Sequence, residues 1–184
     1  MNRSIPLKAS VRALVVACVL GLAPSTGCGS GAAGPVGSGT VSAEDRGPRL
    51  ELGLRLSDGR WLELGDLRGT PVLLYVFATF DMVSQAALEP LRPFVQQHPD
   101  LVVVGVASEP RAMQLVEAWA FALDPPFVVG ADPYGNIENG QTVLGRIEKV
   151  PTYILYDQAG YEIERVIGYQ GEAALDTMVS PVTR

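Results

Sequence analysis

The sequence predicts an α/β domain in which a central mixed β-sheet is flanked by helices and entered through an N-terminal β-hairpin. Three observations carry that expectation. Leu101-Val-Val-Val-Gly-Val-Ala107 is a continuous apolar run, as a parallel strand covered on both faces requires. Strand-like and helix-like segments alternate from Val72 to Val129, the pattern of a layered α/β domain. Short strand-like runs flank the turn sequences Ser57-Asp58-Gly59-Arg60 and Asp157-Gln-Ala-Gly160, which marks a hairpin near each end of the domain.

Taken in order, residues 50–56 alternate apolar and polar with the strand period of two. Asp58-Gly59 suits the positive φ of a tight turn, and Trp61-Leu-Glu-Leu64 returns. Val72-Leu-Leu-Tyr-Val-Phe77 is a buried strand running into a helix. Residues 86–97 form that helix, with Ala87, Leu88, Leu91, Phe94 and Val95 on one face and Pro90 and Pro93 kinking it or dividing it. The 101–107 strand follows, then a helix over 111–123 and a short strand over 125–129. Residues 132–140 are a polar turn region, and 142–147 a brief helix. Strands over 152–156 and 161–167 and a helix over 172–179 complete the domain.

The N-terminus reads as a targeting segment. Arg3, Lys8 and Arg12 make a positive region ahead of the short apolar run 13–23. That run is shorter than the roughly 20 residues a membrane-spanning helix takes, so export is the expectation. Ser25-Thr-Gly-Cys28 resembles a bacterial lipobox, with Ser25 where an aliphatic residue is usual. The resemblance implies a signal peptide over 1–27 and lipidation of Cys28; the alternative is an ordinary cleaved signal with Cys28 a bystander. Residues 28–48 are Gly, Ala, Ser and Pro with few large apolar side chains, the composition of a flexible tether. Residues 49–184 then make one folded domain. Beyond the leader, 11 basic residues face 20 acidic ones. That balance argues against nucleic acid, which selects basic patches.

The segment 72–85 resembles the active-site segment of thioredoxin-fold reductases of the redoxin and TlpA type, whose strand ends in Trp-Cys-x-x-Cys. Here Phe80 stands at the Trp, with Asp81 and Ser84 at the two Cys. Alignment on Pro90 instead puts Met82 and Gln85 there, and a three-residue spacing pairs Asp81 with Gln85. No register yields a cysteine, since the chain's two cysteines are Cys18 and Cys28. Val150-Pro151-Thr152 resembles the family's cis-proline motif, beside which relatives bind a substrate strand. The resemblance therefore implies a thioredoxin-like fold whose degenerate redox loop (Phe80, Asp81, Met82, Val83, Ser84, Gln85) and proline segment (Val150, Pro151, Thr152) form a binding groove.

Disulfide exchange needs an attacking thiolate and a resolving thiol, and neither Asp81 nor Ser84 can serve. Asp81 at a helix start reads as an N-cap rather than a catalytic carboxylate. Ser84 has no adjacent base. Tyr75 stands where thioredoxins often carry a buried acid. His98, the single histidine, has no second His and no domain Cys to share a metal, so it reads as structural. Asp132, Asn136, Glu138 and Asn139 lack EF-loop spacing and read as a polar turn. No cofactor, metal or catalytic residue is expected. The expected function is binding of a peptide or partner protein in the cell envelope, by a lipoprotein facing the periplasm and placed by Gly29 at the outer membrane. The rival classes are a thiol-disulfide oxidoreductase or peroxidase, as the resemblance would imply, and a copper chaperone similar to the Sco proteins.

Overall fold

A computed structural model of the protein describes residues 46–183. The expected signal segment, Cys28 and all but the last three residues of the expected tether lie outside them. Seven strands form one mixed sheet. They are β1 (Gly53–Leu56), β2 (Trp61–Glu63), β3 (Val72–Phe77), β4 (Val102–Ala107), β5 (Val128–Ala131), β6 (Thr152–Tyr156) and β7 (Glu162–Ile167). Their spatial order is β2-β1-β5-β4-β3-β6-β7. β3 and β4 run parallel, as do β4 and β5, while β6 lies antiparallel to both β3 and β7. The helices are α1 (Met82–Ala86), α2 (Leu88–Gln97), α3 (Ala112–Leu123) and α4 (Glu172–Val179).

All six residues of β3 are buried, and the strand period sorts them onto two faces. Leu73, Tyr75 and Phe77 pack with Leu88, Leu91 and Phe94 of α2, Val116 and Trp119 of α3, and Leu175 and Met178 of α4. Val72, Leu74 and Val76 face the other way, onto Leu50, Leu52, Leu64, Ile137 and Leu144. Helices thus cover one face, and hairpin and turn segments cover the other.

Four elements differ from expectation. The helix expected over 86–97 starts at Met82 and breaks at Ala87 into α1 and α2. The Pro90 ring clashes with a helical carbonyl four residues earlier, at Ala86, and so forbids one continuous helix. The helix expected over 142–147 is absent. Gly140 and Gly145 adopt φ of 68° and 62°, which ends each turn before a helix can propagate, although Val143, Leu144 and Ile147 still pack on the sheet. The strand expected over 50–56 is paired only over Gly53–Leu56. The strand expected over 125–129 moves to Val128–Ala131, since Pro125 and Pro126 have no N–H to give a ladder. The 57–60 turn is as expected, with Gly59 at φ 83°.

Candidate functional site

The redox-loop residues and the proline segment are brought to one end of the sheet by strand pairing. Val76 of β3 pairs with Thr152 of β6, and Thr152 pairs with Ile167 of β7. The loop after Phe77, the residues before Thr152 and the end of β7 therefore share one edge. The Val150–Pro151 peptide is cis. The Pro151 carbonyl accepts from Gly168 N–H at 2.7 Å, and the Thr152 hydroxyl donates to the Lys149 carbonyl at 2.6 Å.

Asp81 is the N-cap of α1, with extended backbone at φ −85° and ψ 118°. Its Oδ2 accepts from both the backbone N–H and the hydroxyl of Ser84, each at 2.7 Å. Ser84 is fully buried, and its carbonyl accepts from the Tyr75 hydroxyl. Burial pushes that phenol well above its ordinary range, with Tyr153 beside it adding to the shift, so Tyr75 remains a neutral donor. Gln85 Nε2 donates to the Thr79 carbonyl at 2.9 Å. Thr79 in turn gives its N–H and hydroxyl to Glu109, a residue on the loop after β4.

These bonds leave the polar side chains of the loop occupied and its apolar ones exposed. Phe80 is 73% exposed and Met82 81%, with Val83 about half exposed. Ile167 and Tyr169, at the same sheet edge, are also exposed. The surface so formed is apolar, and it carries no thiol. Asp81 is no free base, because two donors already engage its oxygen. Ser84 donates its hydroxyl to a carboxylate, with no imidazole between them to take a proton.

Asp81 and Ser84 thus hold the two ends of the first turn of α1, while Met82 and Gln85 diverge. Met82 points to solvent and Gln85 turns back to Thr79. Local sequence flagged neither Glu109 nor Thr79, because the bond between them spans 30 positions. His98 Nε2 lies 2.8 Å from Asp176 Oδ1, tying α2 to α4. Asp132 accepts from the backbone N–H groups of Tyr134, Asn136 and Ile137, which makes it the organiser of a turn. Among the described residues no three His, Cys, Asp or Glu side chains gather as metal ligands would.

No family model and no curated protein matches the sequence. Solved structures do match. The exposed lipoprotein thioredoxin Etrx1 of Streptococcus pneumoniae is 22% identical with a TM-score of 0.62, over 72% of this chain and 99% of that one. A secreted disulfide oxidoreductase of Mycobacterium tuberculosis, homologous to E. coli DsbE, is 15% identical with a TM-score of 0.61, over 73% and 98%. StoA of Bacillus subtilis is 18% identical with a TM-score of 0.56, over 68% and 93%. At these identities the likeness is one of architecture, and on that ground the chain carries a thioredoxin-like fold.

Proposed function

We propose that this is an exported, lipid-anchored thioredoxin-like domain that performs no disulfide chemistry and instead docks an extended peptide or protein segment beside Pro151. The observation that carries the proposal is the Asp81–Ser84 pair. The two positions that the family resemblance aligns with the paired cysteines on the preceding strand are joined here by two hydrogen bonds, beside the exposed apolar side chains of Phe80, Met82 and Val83. Exposed apolar side chains clustered at one edge are a common mark of interaction surfaces. The proteins similar in fold are described as a lipoprotein and a secreted oxidoreductase, which supports an envelope location for this chain.

An oxidoreductase role draws support from those same descriptions, and it is opposed by the absence of any cysteine after Cys28. A copper chaperone role would need thiols and a free His, and His98 is bonded to Asp176.

The docking test is a photo-crosslinking amino acid placed at Phe80 or, as a control, at Phe121 on α3, in a bacterium with intact lipoprotein processing. Position 80 should trap a discrete envelope protein that position 121 does not; equal trapping, or none, overturns the docking role. An insulin-reduction assay checks the chemistry, and turnover that copurifies with the domain would refute it. Detergent phase partitioning checks the anchor. Wild type should enter the detergent phase and Cys28→Ala should stay aqueous, as acyl chains worth about 0.8 kcal/mol per buried methylene require.

A further inference from the structure

The docking surface carries no thiol, yet it does carry sulfur. Met82, Met113 and Met178 are the sulfur-bearing side chains of residues 46–183. Their settings differ. Met178 of α4 is 4% exposed and packs in the helix-side core with Leu175 and Val179. Met113 of α3 is half-buried against that same core. Met82, the first residue of α1, is 81% exposed. A thioether needs no ionisation to react with a peroxide, so access decides which of the three reacts first, and access favours Met82.

The fold asks nothing of the Met82 side chain. Asp81 and Ser84 make the cap of α1, and Gln85 makes the tie to Thr79. Met82 belongs to neither buried cluster. It stands instead with Phe80 and Val83 in the exposed apolar set. A chemical change at its sulfur therefore alters the surface and spares the domain. With a peroxide the step is a two-electron oxidation of sulfur. An S–O bond forms, the O–O bond breaks, and the second peroxide oxygen takes the proton from the first and leaves as water. The sulfoxide replaces a flexible apolar tip by a polar one. In water that costs nothing; against an apolar partner the S=O acceptor is buried without a donor, and binding weakens. A methionine sulfoxide reductase reverses the step, the oxygen leaving as water while a dithiol closes to a disulfide, and the exposed side chain is open to such an enzyme. The same oxidation at Met178 would put the polar group in the core.

We propose that Met82 is a reversible oxidation site through which a peroxide releases the segment docked on the Phe80–Val83 surface. The inference rests on the docking role, and goes beyond it in making that role sensitive to oxidants without any cysteine. The full chain, carrying the photo-crosslinking amino acid at position 80, tests it in membranes treated with hydrogen peroxide. Peptide mass mapping should show Met82 converted at least about tenfold faster than Met178, and ahead of Met113. Trapping should fall by roughly tenfold as Met82 converts, and return when reductases for both sulfoxide epimers are added with dithiothreitol. Met82→Leu, apolar and without sulfur, should trap as wild type does and ignore peroxide. Met82→Gln, which is polar, should trap roughly tenfold less without any oxidant, at an unchanged melting temperature. Oxidation of the three methionines at equal rates overturns the proposal. So does full trapping by protein whose Met82 is a sulfoxide, or a Met82→Leu variant that peroxide silences equally, which would place the sensitive group on the partner. Absence of trapping before peroxide is added is a different result: it refutes the docking role itself, and this inference with it.

Discussion

Both hydrogen bonds that Ser84 donates end on the same oxygen of Asp81, and Ser84 is fully buried. Removing that acceptor therefore costs the helix cap and also strands a buried hydroxyl. Asp81→Ala should lower the unfolding free energy by about 2 kcal/mol in a urea titration, with an unchanged slope. Asp81→Asn, which keeps an acceptor, should lose less than half of that. The buried tyrosines offer a matched contrast. The Tyr75 hydroxyl serves the Ser84 carbonyl, whereas the Tyr156 hydroxyl has no partner. Tyr75→Phe should cost about 1 kcal/mol, and Tyr156→Phe should be neutral or stabilising, since it removes an unmet polar group. Equal effects at the two positions would refute the assignment of the Tyr75 bond.

Between residue and fold, the first turn of α1 sets which pairs can meet. An N-cap and the residue three positions on lie on one face of the turn, and the Asp81 and Ser84 side chains already meet at 2.7 Å, while a disulfide takes Cα atoms roughly 4.4 to 6.8 Å apart. The double change Asp81→Cys with Ser84→Cys should close a disulfide on mild oxidation, read by mass. Met82→Cys with Gln85→Cys should not, because both lie inside the helix, where Cβ atoms three positions apart stand roughly 5–6 Å apart, beyond the roughly 3.5–4.5 Å of a disulfide. Closure of the second pair alone would mean that the loop is shifted by one residue. The sequence located β3 and β4 from their continuous apolar runs, and α3 and α4 to within a residue of their ends. It misplaced the start of α1, because Met82 and Val83 are apolar yet exposed and mimic a buried strand end. It also expected a brief helix over 142–147. Gly140 ahead of that stretch and Gly145 within it hold left-handed angles, and packing on the sheet is met there by turns.

At the scale of the molecule, three phenols are held neutral inside one small domain. Burial raises Tyr75, Tyr153 and Tyr156 well above the ordinary tyrosine range. In the unfolded chain each ionises near pH 10 while the native state retains its proton. The native state then binds more protons, so stability is complete below about pH 10 and falls as pH rises beyond it. Each tyrosine contributes up to about 1.4 kcal/mol per pH unit. Thermal melts from pH 8 to 12 should fall steeply above pH 10, and Tyr156→Phe should flatten the slope; a flat profile would refute it. Little of this was legible in sequence, where a tyrosine in a strand shows no sign of what surrounds its hydroxyl. The layered architecture was legible, because long apolar runs fix the number of covered faces. The Glu109–Thr79 bond was not, because no local pattern joins residues 30 apart.

The Asp81–Ser84 closure has a consequence in time. A disulfide holds whichever state electrons last left it in, and that state outlasts the encounter that wrote it. Two hydrogen bonds at a helix start re-form after each opening, with no second covalent state to occupy. Under the proposed docking role, this end of the sheet would keep no record of past partners: it would report that something is bound now, and nothing about what was bound before.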